Sequence, residues 1–119
     1  MHVVGGMNAD TDAVEKLYRE HSTCAECPVY KTDIVTASMV KYCINSFLAT
    51  KVTFMNEMYD VLKAARGADW NTFTNIIAND PRIGKSHMRV PGNDGQRGYA
   101  GSCFPKDTAA RAWLSLLPI

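Results

Sequence analysis

The sequence predicts a mainly α chain: a long central spine helix with shorter packing helices, plus one short N-terminal strand. Three observations carry this expectation. A helical pattern runs from Ile34 to Arg66, between a capping Thr32 or Asp33 and a terminating Gly67. Two shorter helical patterns follow, one behind Asp69 and one around Pro105. At the other end, His2-Val3-Val4 reads as a strand running into Gly5-Gly6.

In chain order, Asn8 or Asp10 caps a first helix through about Glu20, with Val14, Leu17 and Tyr18 as its apolar side. The segment "HSTCAECPVYKTD" is irregular, with a short extended piece at Pro28-Val29-Tyr30. The long helix is apolar over a broad arc made by Val40, Cys43, Ile44, Phe47, Leu48, Phe54, Met55, Met58 and Leu62. Ser46, Thr50, Thr53, Glu57 and Asp60 form its narrower polar side. A helix of roughly 45 Å with so wide an arc must pack on more than one side. A dimer interface and burial by its own domain both satisfy that pattern. "WNTFTNIIAND" forms the next helix and stops before Pro81. Residues 81–102, with two prolines and five glycines, form a long loop, and such loops are more often functional than filler. Pro105 and Asp107 lie in the first turn of a last helix that continues through Ala112, Trp113, Leu116 and Leu117 to Pro118.

A chain of 119 residues holds one domain, and 46% hydrophobic with 21% charged residues is a soluble globular composition. Thirteen basic and twelve acidic residues leave a net charge of +1, which gives no argument for nucleic acid or an anionic membrane as partner. No basic leader precedes an apolar run, so no signal peptide is expected. The most apolar region, Val40 to Leu62, is broken by Lys41, Asn45, Lys51, Asn56, Glu57 and Asp60 and is no transmembrane span. Four cysteines in such a chain are expected as free thiols in the cytoplasm.

The candidate chemistry centres on "GYAGSCFPKD". Cys103 follows Gly101 and Ser102 and precedes a helix start, where unpaired amides and the macrodipole favour a thiolate nucleophile. Asp107 is one helical turn on, near enough to activate a water. A small buried cysteine followed by a helix-start carboxylate explains the same spacing, and locally explains it slightly better. Lys41 and Asn45 are one turn apart on the spine and suit an oxyanion site. On their own they read more simply as a snorkelling lysine and a solvated asparagine. Cys24-Ala-Glu-Cys27 is a CxxC, but no second ligand pair completes a zinc site, so no metal is expected. His2, His21 and His87 show no ligand spacing, and His87 reads as a surface histidine within the long loop. Gly5-Gly6 lacks the GxGxxG pattern and its downstream acidic residue, so the chain offers no NAD site.

Taken together, "ASMVKYCINSFLATKVTFMNEM", "NDPRIG" and "GYAGSCFPKD" resemble, in order and approximate spacing, three motifs of the nucleotide-sugar 6-dehydrogenase family. The likeness runs from about Thr32 to Asp107. It implies that residues 1–31 are a remnant of the last strand and helix of a Rossmann NAD-binding domain. Residues 32–119 then form the central helical domain, which carries the catalytic cysteine and the dimer interface. The family's second Rossmann-like domain has no counterpart here, which implies a fragment that is inactive alone. By the same resemblance Cys103 is the nucleophile that forms a thiohemiacetal and then a thioester at C6 of a UDP-sugar, oxidised in two NAD-dependent steps to the uronic acid. Lys41 and Asn45 stabilise oxyanions and position water, and Asp107 assists water and proton transfer. Arg82 reaches the substrate site of a partner subunit, and Gly98, Tyr99 and Gly101 cradle sugar and phosphates. NAD belongs to the full-length enzyme and is not expected to bind this chain. Ala100 departs from the family's usual second glycine. The loop "SHMRVPGNDGQRG" resembles the UDP-glucose branch more than the GDP-mannose branch. Two rival readings remain: a non-catalytic helical dimerisation module, and a small metal-binding protein using Cys24 and Cys27.

Overall fold

A computed structural model of the chain describes residues 1–114. The expected helical continuation through Leu116 and Leu117 to Pro118 lies outside the described residues. The order of elements is β1 (His2–Gly5), α1 (Asn8–His21), β2 (Val29–Thr32), α2 (Ile34–Ala64), α3 (Trp70–Ile77) and α4 (Cys103–Leu114). The chain divides into two compact units, Met1–Cys43 and Ile44–Ile119.

In the first unit β1 and β2 pair in parallel, from His2 opposite Val29 to Gly5 opposite Thr32. Parallel neighbours need a crossover, and α1 supplies it. The extended piece expected at Pro28-Val29-Tyr30 is thus a true strand, shifted by one residue at its start. A Cβ on Gly5 would lie 2.6 Å from Ala37 Cβ, so this glycine serves the close approach of β1 to the start of α2. Asn8 and Asp10 do not cap α1. Its N-cap is Met7, without a side-chain cap bond, and the Met7 carbonyl accepts from the amides of Asp10 and Thr11. Thr11 is the buried residue of α1, while Val14, Leu17 and Tyr18 are exposed. Two four-residue strands are too small to cover the apolar side that the sequence pattern marks out.

Asp33, rather than Thr32, caps α2, accepting from the Thr36 amide at 2.8 Å. At the other end Gly67 takes a left-handed φ of 84°, as a helix-terminating glycine does. Asp69 caps α3 through the Thr72 amide at 2.7 Å, as expected. That helix stops at Ile77, and Ala78 to Ile83 turn back through the Asp80 carbonyl, which accepts from the Ile83 and Gly84 amides.

The core of the second unit is Met55, Met88 and Val90, with Tyr59, Trp70, Phe73 and Ile77 packed against it. Trp70 stands edge-on to Tyr59 with ring centroids 5.1 Å apart. Met88 and Val90 come from the long 81–102 loop, which is therefore anchored and not free. The inward face of α2 differs from the expected arc. Ser46 is buried with Ala49 and Met55, although its hydroxyl suggested the polar side. Phe47, Phe54 and Val61, spaced by seven residues, are 63%, 55% and 59% exposed. Bulk and hydrophobicity mark residues that gain from burial, but the small Ser46 and Ala49 leave more room for close packing. Phe47 and Phe54, both in the expected arc, are thus left uncovered by the described residues. No helix among the described residues is long and apolar enough to cross a membrane.

Candidate active site around Cys103

Cys103 is the first residue of α4 and is exposed, which removes the reading of it as a buried packing residue. Its Sγ lies 3.7 Å from Ser102 Oγ. One turn on, Asp107 is completely buried, the opposite of a solvated helix-start carboxylate. Burying a carboxylate is costly unless it is paired and hydrogen-bonded, and here it is both. Asn45 Nδ2 donates to Asp107 Oδ2 at 2.6 Å, and the Lys106 ammonium contacts Asp107 Oδ1. Asn45 belongs to α2, so this bond joins the spine to the cysteine helix within one unit. The solvated-asparagine reading does not hold for Asn45. Lys41 is one turn earlier on α2, exposed, with its Nζ 6.0 Å from the Tyr42 ring.

The glycine-rich run ahead of the cysteine has two left-handed residues, Gly98 at φ 85° and Gly101 at φ 88°. No atom lies within 4 Å of a Cβ built at either, so backbone conformation is what calls for glycine there. Ala100 has no such φ, so an alanine fits the backbone at the position where it departs from the family pattern. Tyr99 stands edge-on to Phe104 at 6.4 Å, and the His87 ring lies 5.6 Å from the same phenyl group. A cavity of about 590 Å³ opens here, and Lys85, His87, Gly98, Tyr99, Gly101 and Phe104 are among its lining residues. A larger cavity of about 820 Å³ beside α3, lined by Trp70, Asn71 and Pro91 among others, holds none of the predicted site residues.

Arg82 is 86% exposed and donates to its neighbour Asp80, from Nε to Oδ1 (3.0 Å) and from Nη2 to Oδ2 (2.6 Å). These hydrogen bonds lower the Asp80 pKa and raise that of Arg82. Two basic residues that the motifs did not single out fasten the loop. Lys51 Nζ donates to the carbonyls of Ile83 (2.9 Å) and Gly84 (3.1 Å), and burial lowers its pKa. Arg97 reaches Asn56 and Asp60 on α2. The one-turn spacing of Asn56 and Asp60 was the available signal for a bound basic side chain.

Cys24 is exposed and Cys27 half-buried, both as free thiols. Among the described residues no group of three or more His, Cys, Asp or Glu side chains converges as a metal site would require.

Comparison with known proteins adds to this geometry. A family model, UDP-glucose/GDP-mannose dehydrogenase family, central domain, matches residues 35–116. UDP-glucose 6-dehydrogenase YwqF of Bacillus subtilis (strain 168) is 38% identical over 109 residues, which is 91% of this chain and 22% of that protein. UDP-glucose 6-dehydrogenase of Rickettsia bellii (strain RML369-C) is 40% identical over 109 residues, 91% of this chain and 24% of its own length. UDP-glucose 6-dehydrogenase TuaD of Bacillus subtilis (strain 168) is 40% identical over 83 residues, covering 70% and 17% respectively. The chain therefore spans about a fifth to a quarter of the first two relatives. With the family's central-domain match over most of its length, the chain belongs to the UDP-glucose/GDP-mannose dehydrogenase family.

Proposed function

We propose that this chain carries the thiol-bearing part of the active site of a UDP-glucose 6-dehydrogenase. The whole enzyme, on this reading, oxidises UDP-glucose to UDP-glucuronate in two NAD-dependent steps, and the chain alone does not turn over. The observation that carries the reading is the Asn45–Asp107 bond, made at a buried carboxylate one turn beyond an exposed cysteine. Family membership and the UDP-glucose relatives support the substrate.

The residues of this chain do not fit NAD. The GxGxxG pattern is absent, and Gly5, at the end of β1, faces Ala37 so closely that it serves packing and not a phosphate. Cys103 acts on the C6 aldehyde: its thiolate forms the C–S bond while the carbonyl electron pair moves onto oxygen. Lys41 and Asn45 hold that oxyanion. At the later thioester, a water positioned by Asn45 and Asp107 adds to the carbonyl carbon. As the water adds, one of its protons passes to the Asp107 carboxylate; the Cys103 thiolate then leaves as the carboxylic acid forms, and the acid gives up its own proton to solvent. Gly98, Tyr99 and Gly101 line the cavity that receives the sugar and phosphates, and the exposed Arg82 extends toward the site of a partner subunit.

The partner is a second copy of this chain, docked through Phe47, Phe54 and Val61 of α2. The same stripe favours the second reading, a helical dimerisation module whose site residues are relics. The exposed free thiols Cys24, Cys43 and Cys103 fit the reducing cytoplasm. A chimera tests the function: residues 35–116 of this chain replace the matching segment of the Bacillus subtilis relative YwqF. NAD-dependent oxidation of UDP-glucose, abolished by Cys103→Ser, is expected. A folded chimera without turnover contradicts the proposal, and turnover by the isolated chain contradicts its inactivity.

A further inference from the structure

We propose that Arg97 is the positioning residue for Cys103, acting as a strap that ties the loop before the thiol to α2. This rests on the reading of Cys103 as the reactive thiol. Arg97 donates from Nη1 and Nη2 to the two carboxylate oxygens of Asp60 (2.9 and 2.7 Å). Nη2 also donates to the Asn56 carbonyl (2.8 Å), and Nε donates to Asn56 Oδ1 (3.2 Å). The same Oδ1 accepts from the amide of Gly98 at 3.3 Å, so the strap ends on the backbone of the left-handed glycine.

Exposed ion pairs are usually weak, and Arg97 and Asp60 are 49% and 59% exposed. Three features set this one apart. It is a bidentate fork, the geometry that a lysine cannot reproduce. Its second acceptor is already oriented, because Asn56 Nδ2 donates to the Val52 carbonyl at 2.8 Å. Its guanidinium also lies 5.8 Å from the Tyr59 ring centre, and Tyr59 packs against the Met55 core.

The six residues from Gly98 to Cys103 are joined by five Cα–Cα steps, which span up to about 17 Å when extended. Two of them, Gly98 and Gly101, carry left-handed φ values that favour glycine. The Asn45–Asp107 bond ties down the helix that Cys103 opens, and Arg97 fixes the other end of the segment that leads into it. Lys51 fixes the beginning of the same loop through the Ile83 and Gly84 carbonyls.

The test compares the wild-type chain with Arg97→Ala, Arg97→Lys and Asp60→Asn, and uses Arg19→Ala as a control for loss of an exposed ion pair. Amide hydrogen exchange is followed by segment, and the alkylation rate of Cys103 is read against that of Cys43 with iodoacetamide. Arg97→Ala is expected to speed exchange over residues 95–102 by about tenfold, with α1 and the β1–β2 pair unchanged. It is also expected to lower the Cys103/Cys43 ratio by about threefold or more. Arg97→Lys falls between, and Arg19→Ala matches the wild type. Should Arg97→Ala unfold, Arg97→Lys and Asp60→Asn decide by the same two readings. Unchanged exchange over 95–102 overturns the strap. Faster exchange with an unchanged Cys103/Cys43 ratio overturns the positioning role alone. A wild-type Cys103 no faster than Cys43 overturns the reactive-thiol reading, and the positioning role falls with it.

Discussion

Asn45 and Asp107, 62 residues apart in sequence, share a hydrogen bond of 2.6 Å that joins the spine helix to the helix opened by Cys103. Asp107 is completely buried, so its second oxygen and its charge depend on the groups around it. Asn45→Ala removes a donor from a buried acceptor and is expected to cost about 1–3 kcal/mol of unfolding free energy in urea titrations. Asn45→Asp sets two carboxylates against each other. Its loss is expected to be larger at neutral pH and to shrink as the pH falls and the pair takes up a proton.

The apolar stripe on α2 separates association from folding. Met55, at the centre of the core, is 2% exposed, and Met55→Ala is expected to lower stability by about 2–5 kcal/mol. Phe54→Glu, on the exposed stripe, is expected to leave the helical circular dichroism intact while shifting sedimentation from dimer to monomer. A wild-type chain that sediments as a monomer at high concentration contradicts the proposed interface.

Two neighbours in the glycine-rich run respond in different ways. Gly101 has a φ of 88°, and Gly101→Ala is expected to cost about 1–2 kcal/mol by thermal unfolding. Ala100 has no left-handed φ, so Ala100→Gly relieves nothing. By freeing the unfolded chain it is expected to lower stability by about 0.5–1 kcal/mol.

The loop strap has a pH dependence with a definite sign. Hydrogen bonds from Arg97 lower the Asp60 pKa below its ordinary value, so the pairing favours the folded loop while Asp60 is ionised. That contribution is fully present above the ordinary aspartate pKa and is lost as the pH falls through the lowered one. Exchange protection over residues 95–102, corrected for intrinsic rates, is expected to hold from neutral pH into the acid range. It then falls in that window, and Asp60→Asn removes this step.

The helices were legible because their ends are written in single residues. Asp33, Asp69 and Gly67 act at the positions where capping and left-handed backbone require them. The start of α1 was not legible, since Met7 caps through its backbone and leaves no side-chain signature. The pairing of β1 with β2 is a contact across a helix, which a local pattern shows only as an extended piece. Ser46 misled because polarity marks preference for water, while close packing selected small size. The site was legible in part. Local spacing left Cys103 and Asp107 undecided, and only resemblance grouped them with Asn45. Lys51 and Arg97 escaped because their partners are loop carbonyls and a distant helix turn, and those meetings are set by the fold.

The central claim is that Cys103 sits in a preserved thiol site, and its alkylation tests this most directly. At neutral pH, with peptide-resolved mass spectrometry, Cys103 is expected to react faster than Cys24, Cys27 and Cys43. That advantage is expected to vanish in Lys41→Ala and in Asp107→Asn variants that remain folded by circular dichroism. Equal rates at the four cysteines of the wild-type chain, or a Cys103 advantage that survives both substitutions, contradict the account.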